Sequence, residues 1–205
     1  MGEEMAFRGD LAGLQERMIL LASTSPQRRA ILEQLGIPFE VVAPEYEEHD
    51  PPDADPVELV REHARGKARS VAAPHRLVLG VDTTVVVDGR LYGKASDEGE
   101  ARAMLRALAG RAHEVLSGLC LIADGEELVE HDVTRVTFRP LSEAEIARYL
   151  ATAEWRDRAG AYAIQGRGAA LVERIEGDYL NVVGLPASLL VRLLAERFPG
   201  FHGVD

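Results

Sequence analysis

A chain of 205 residues with 46% hydrophobic and 28% charged residues can bury a substantial core and reads as an ordinary globule. Its net charge of −11 excludes broad attraction to nucleic acid or anionic lipid, so a polyanionic ligand needs a local cationic cluster, backbone amides or a divalent metal. A single cysteine, Cys120, excludes a disulfide framework and a cysteine-based zinc site; with no apolar run long enough to span a bilayer and no secretory pattern, a cytoplasmic location is expected.

Residues 1–17 read as an N-terminal leader, 18–200 as a single domain and 201–205 as a tail. "MILLA" (18–22) has the short apolar run of a buried strand. Ser25 as N-cap and Pro26 as first helical residue predict a helix through "QRRAILEQL", with Ile31, Leu32 and Leu35 on one face and Gly36 ending it. "PFEVV" is a second strand. The acidic, proline-rich residues 43–55 predict a loop, and Asp55-Pro56 opens a helix running to about Ala73. Residues 76–93 alternate into a strand pair turning at Asp88-Gly89, and a helix follows Ser96, closed by Gly110. Strands over about 113–123 and 127–139 flank Asp124-Gly125, and a capping box from Ser142 to Glu145 starts another helix. A glycine-rich segment (160–168), a strand near 169–175, a turn at Gly177 and a helix over 186–197 complete the chain. Intermixed strands, helices and hairpins predict a three-layer α/β fold with a mixed sheet.

The stretch "LASTSPQRRAILEQLG" (21–36) sets three small hydroxyl residues, a proline and two arginines at a strand-to-helix junction. A helix start presents free N–H groups and the positive end of the dipole. Ser23, Thr24 and Ser25 add hydroxyl donors, and Arg28 and Arg29 add fixed charge, a combination suited to phosphate oxygens. The same residues also read as a capped helix whose arginines meet Glu33 or solvent. Asp82 in "GVDTTVVVDG" is the first acidic residue after an apolar strand run, which places it near a strand end. There a carboxylate can ligate a divalent cation, deprotonate water, or simply cap a turn.

Of the 23 Lys and Arg residues only Lys67 and Lys94 are lysines. Codon bias toward arginine explains the scarcity, and the two survivors then mark places where a compact ammonium is required. Five glycines between Gly160 and Gly184 imply tight turns or close approach to a ligand. Gln165 in that segment is either a surface turn residue or an amide able to read a base edge. The acidic loop offers Glu45, Glu47, Glu48 and Asp50 as oxygen ligands, or a solvated charge run. His49, His63, His75, His113 and His131 show no metal-ligand spacing, His202 lies in the tail, and Tyr149 and Trp155 read as core or interface.

Three segments, "LASTSPQRRAILEQLGIPFEVVAPEYEE", "LGVDTTVVVDGRLYGKASDEGEARAMLRALAGRAHEVLSGL" and "AGAYAIQGRGAALVERIEGDYLNVVGLP", together resemble the Maf family of nucleoside triphosphate pyrophosphatases, in order over residues 18 to about 196. The resemblance implies a Maf/Ham1 (ITPase-like) α/β fold with a mixed elongated sheet flanked by helices and two lobes around a cleft, usually as a homodimer. It implies hydrolysis of a nucleoside triphosphate to the monophosphate and pyrophosphate with a divalent metal cation, Mg2+ or Mn2+. By that resemblance Asp82 is the catalytic base and, with Glu48, a metal ligand; Ser23, Arg28, Arg29, Lys67 and Lys94 hold the triphosphate. Gln27, Thr83 and Gln165 fall at base-selecting positions, in a pattern similar to the dTTP/UTP branch. The chain departs from the family pattern at Gln27, where arginine is usual, in "GVDT" for GADT and in "GKA" for GKP. The alternatives are a 7-methyl-GTP or ITP-type pyrophosphatase on the same scaffold, or a cell-division regulator without turnover.

Overall fold

The computed structural model describes residues 18–51, 54–198 and 201; the leader expected over 1–17 lies outside the described residues. The first apolar run forms β1 (Ile19–Ala22), buried throughout. Pro26 starts α1 (Pro26–Gln34), which buries Ile31 and Leu32, and β2 (Phe39–Val42) returns parallel to β1. Asp55 caps α2 (Pro56–Ser70) by accepting from the N–H groups of Val57 and Glu58 at 3.0 Å each. That helix stops at Ser70, short of Ala73. β3 (Val78–Val87) then runs parallel to β1, and β4 (Arg90–Tyr92) turns back along its far end.

α3 (Glu98–Leu108) is capped by Asp97, whose carboxylate accepts from the Glu100 N–H at 2.8 Å. β5 (Ala112–Ala123) and β6 (Glu126–Phe138) form a long hairpin through Asp124-Gly125, whose φ values of 48° and 86° suit a tight hairpin turn. α4 (Glu143–Leu150) opens with the Ser142–Glu145 capping box. Residues 167–171 form a 3-10 turn, so β7 (Val172–Glu176) begins later than the strand expected near 169. α5 (Tyr179–Val183), unforeseen in the sequence, precedes α6 (Ala187–Arg197). Phe201, expected to open a tail, is buried in the core under α6. Among the described residues no helix is long and apolar enough to cross a membrane.

The sheet order is β2-β1-β3-β5-β6-β7, with β4 beside β3; β2, β1 and β3 are parallel and the remaining pairs antiparallel. Helices cover both faces, giving three layers. On one face, Leu79 and Val81 of β3 and Leu119 and Leu121 of β5 pack in a cluster with α1 and α6. Further along the same face, Val85, Val87 and Val115 pack in a second cluster with α3 and α4. Thr83 and Ser117, paired across the two strands, fall between the clusters. β1 pairs with β3 only through Val78–Gly80 and β4 only through Val85–Val87. Among the described residues, no strand therefore flanks Val81–Thr84 on that side, and the sheet carries a notch at its centre.

α2 covers the opposite face and touches the sheet backbone to backbone. A Cβ on Gly80 would overlap the Ala64 carbonyl oxygen, and one on Gly118 would overlap that of Val60. Gly80→Ala and Gly118→Ala must push the helix off the sheet, an overpacking cost of about 1–3 kcal/mol each. Each should lower the melting temperature by roughly 2–12 °C in calorimetry. Gly93→Ala, with nothing within 4 Å of its Cβ position, should leave it near wild type.

Candidate active site

The buried face of α2 consists of Val60, His63, Ala64, Lys67 and Ala68. This is one helical stripe at three- and four-residue spacing, yet two of its members are ionisable. Both meet Asp82, the residue of β3 that faces them across the close contact. Lys67 Nζ donates to Asp82 Oδ1 at 2.6 Å and lies 2.5 Å from Glu48 Oε1. His63 Nδ1 lies 3.5 Å from Asp82 Oδ2, while His63 Nε2 faces the His49 carbonyl oxygen at 3.3 Å and Asp50 Oδ1 at 3.5 Å.

Asp82 is not at the end of its own strand, as the sequence suggested. It sits mid-strand, where the neighbouring strand ends. Glu48 arrives on an extended segment whose alternate residues Pro44, Tyr46, Glu48 and Asp50 line the cleft, while Glu45 and Glu47 do not. The Tyr46 ring anchors that segment. It lies edge-on to His63, with ring centroids 5.8 Å apart, and against Gly66, where a Cβ would overlap it.

Burial alone would raise the Asp82 pKa. The hydrogen bond from His63, the attraction and hydrogen bond of Lys67, and the charge of Arg28 outweigh it and hold the carboxyl well below the usual carboxylate range. The reciprocal hydrogen bond to Asp82 lifts His63 above the ordinary imidazole value despite its burial.

The notch opens into a cleft of about 670 Å³. Arg28 ties its walls together: Nε donates to the Gly184 carbonyl at 2.9 Å, Nη1 to Ser23 Oγ at 3.0 Å and Nη2 to Thr83 Oγ1 at 3.4 Å. Burial lowers its pKa while Asp82 and Glu48 raise it, and a guanidinium stays charged through such shifts. Thr83 Oγ1 also contacts Ser117 Oγ at 2.9 Å and the Gly184 carbonyl at 3.3 Å. Ser25 occupies the N-cap position of α1 as expected, but its hydroxyl donates to Gln27 Oε1 at 3.0 Å, leaving the first turn without a side-chain cap.

Gln27, Lys94 and Gln165 line the cleft as well. Arg29 does not. Consecutive residues of a helix point about 100° apart, so with Arg28 turned inward Arg29 is exposed outside the lining. His63 and Ser117 are the residues that the sequence reading missed. His63 shares its helical stripe with Lys67, and its role depends on what that stripe faces, which the sequence does not show.

Glu48, His63 and Asp82 each offer one ligand atom, all within 4.8 Å of one another. Two carboxylates and an imidazole form a donor set suited to a hard or borderline divalent cation. The Lys67 ammonium between the two carboxylates shows that this cage favours positive charge. The cluster is thus able to hold a divalent metal.

The coupled pair sets a pH dependence. A raised His63 pKa contributes stability that is present below the unfolded imidazole value, about 6.5, and lost as pH rises through the folded value. Asp82, with a depressed pKa, contributes stability above about pH 4 that is lost as pH falls through its folded value. Urea melts in EDTA should show wild-type stability declining above pH 6.5, and the decline should shrink in His63→Asn.

A family model described as Maf-like protein matches residues 18–197. A dTTP/UTP pyrophosphatase of Symbiobacterium thermophilum is 50% identical over 190 residues, covering 91% of this chain and 98% of that protein. One of Nitratidesulfovibrio vulgaris is 49% identical, covering 87% of each chain. Among solved structures, a HAM1 protein from Coxiella burnetii gives a TM-score of 0.40 at 20% identity, covering 59% of this chain and 72% of that one. The cleft, its cationic groups and its carboxylates lie within the matched span, and the chain belongs to the Maf family.

Proposed function

We propose that this chain hydrolyses dTTP and UTP between the α and β phosphates, releasing the nucleoside monophosphate and pyrophosphate. The observation that carries the reading is a single cleft, in a strongly acidic chain, that gathers Arg28, Lys67 and Lys94 around Asp82. The near full-length similarity to relatives named dTTP/UTP pyrophosphatase supports the nucleotide class.

Ser23, Arg28, Lys67 and Lys94 hold the phosphate oxygens. Arg28 spends three of its five N–H donors on the cleft walls and keeps about two for substrate. Ser23 Oγ accepts from Arg28 and from the Ser25 N–H, so its own O–H is left to donate. Arg29, exposed outside the lining, has no part in this grip.

Asp82 accepts the proton of the attacking water. In the free chain its basicity is suppressed by the hydrogen bond from His63 and by Lys67, its nearest cation. A triphosphate that draws the Lys67 ammonium away removes part of that suppression, so the base strengthens as the substrate arrives. His63 keeps the carboxylate oriented. Glu48, His63 and Asp82 would hold Mg2+ or Mn2+, which when bound supplies charge neutralisation at the phosphates. Gln165, exposed at the cleft, offers a carboxamide donor and acceptor that complement the carbonyl and imide N–H of a uracil or thymine edge.

A panel of dTTP, UTP, CTP, GTP, ITP and 7-methyl-GTP, with phosphate and pyrophosphate measured separately, should show pyrophosphate released fastest from dTTP and UTP, and nothing in EDTA. Orthophosphate as the first product, or preference for a purine nucleotide, would reject the reading. Asp82→Asn should lower kcat by about 10²–10⁴-fold while nucleotide still binds. An active Asp82→Asn protein would mean that another group is the base.

A further inference from the structure

The loop after α4 closes one side of the cleft on a constrained backbone. Ala153, Asp157, Gly160 and Ala161 adopt φ of 59°, 58°, 67° and 58°. Alanine, with a Cβ and no polar side chain to compensate, is uncommon there and persists where its surroundings fix it, often at ligand clamps. The fixing contacts are present. Lys94 and Ala159 form an antiparallel bridge, and the Gly160 N–H donates to the carbonyls of Tyr92 and Gly93 at 3.1 Å each. The Tyr149 hydroxyl accepts from the Ala163 N–H at 2.9 Å.

Arg158 is carried in this frame, next to the residue bridged to Lys94, and lines the same cleft. Its Nε is buried without a hydrogen-bond partner, and among the described residues its guanidinium forms no ion pair. Several other arginines reach acceptors: Arg69 grips Glu127 and Arg106 grips Glu143, each through two hydrogen bonds, and Arg61, whose Nε is likewise buried without a partner, still donates to Glu58 and to the Val129 carbonyl. A guanidinium whose Nε is buried and unpaired on a rigid loop is costly unless a ligand supplies the acceptors.

We infer that Arg158 is a further substrate-binding residue, gripping the phosphate tail of the nucleotide beside Lys94. Its planar fork matches two oxygens of one phosphate, a geometry the ammonium of Lys94 does not provide. The assignment rests on reading the cleft as a nucleoside triphosphate site. Its test needs no turnover.

Inorganic tripolyphosphate, titrated with Mg2+ into the full chain by calorimetry, should bind Arg158→Ala about tenfold more weakly than wild type. Arg158→Lys should recover part of the loss, and uridine should bind all three proteins alike. Melting temperatures should stay at the wild-type value, since among the described residues the side chain has no hydrogen-bond or ion-pair partner. Unchanged tripolyphosphate affinity in Arg158→Ala, an equal loss for uridine, or a variant that fails to fold would each overturn the assignment. A wild-type chain that binds tripolyphosphate yet releases no pyrophosphate from dTTP or UTP would instead count against the hydrolase reading, and the Arg158 comparison would still stand.

Discussion

Contact between the backbone of α2 and the sheet is the constraint from which the geometry of the site descends. With a side chain at Gly80 or Gly118 the helix would ride further out, and the Lys67 ammonium could not reach Asp82 at 2.6 Å. The electrostatics follow from that steric fact. A carboxylate buried mid-sheet without partners would be neutral, because removing a charge from water costs far more than protonating it. Here the helix delivers an ammonium and an imidazole to the same two oxygens, so Asp82 stays ionised. Two missing side chains on the sheet thus permit a charge in its interior.

The second determinant is where neighbouring strands stop. β1 ends its pairing at Gly80 and β4 begins at Val85, so four residues of β3 face a gap rather than a strand. In most sheets such unpaired backbone marks an edge. Here it lies at the centre, flanked by two apolar clusters, with Thr83 and Ser117 marking the boundary between them. Arg28 bonds across this boundary to the carbonyl after α5 and to Thr83, so one cation both braces the walls and charges the cavity.

Much of the scaffold was legible in the sequence because local signals agree: Asp55-Pro56, the Ser142–Glu145 box and the Asp124-Gly125 turn each produce the structure their chemistry favours. α5 was not, since five residues are too short for a periodic signal and the helix rests on the Asp178 cap and on packing against β5 and β6. Within the site, Asp82 and Lys67 stood out by type and scarcity. His63 did not, because a histidine acquires a role only from what its helix faces, and that depends on two glycines far away in sequence. The placement of Arg29 shows the converse. Adjacent residues of equal charge read alike in a sequence, yet the helical turn separates them.

β3 and β5 cross from one apolar cluster to the other without interruption, hydrogen-bonded along nine consecutive register pairs. They act as a shared beam beneath both halves of the molecule. A hinge requires a few free dihedral angles, and a laddered strand has none to lend. Opening or shutting the crevice by tilting one half against the other would mean twisting that ladder. The ladder therefore resists any change in the width of the crevice.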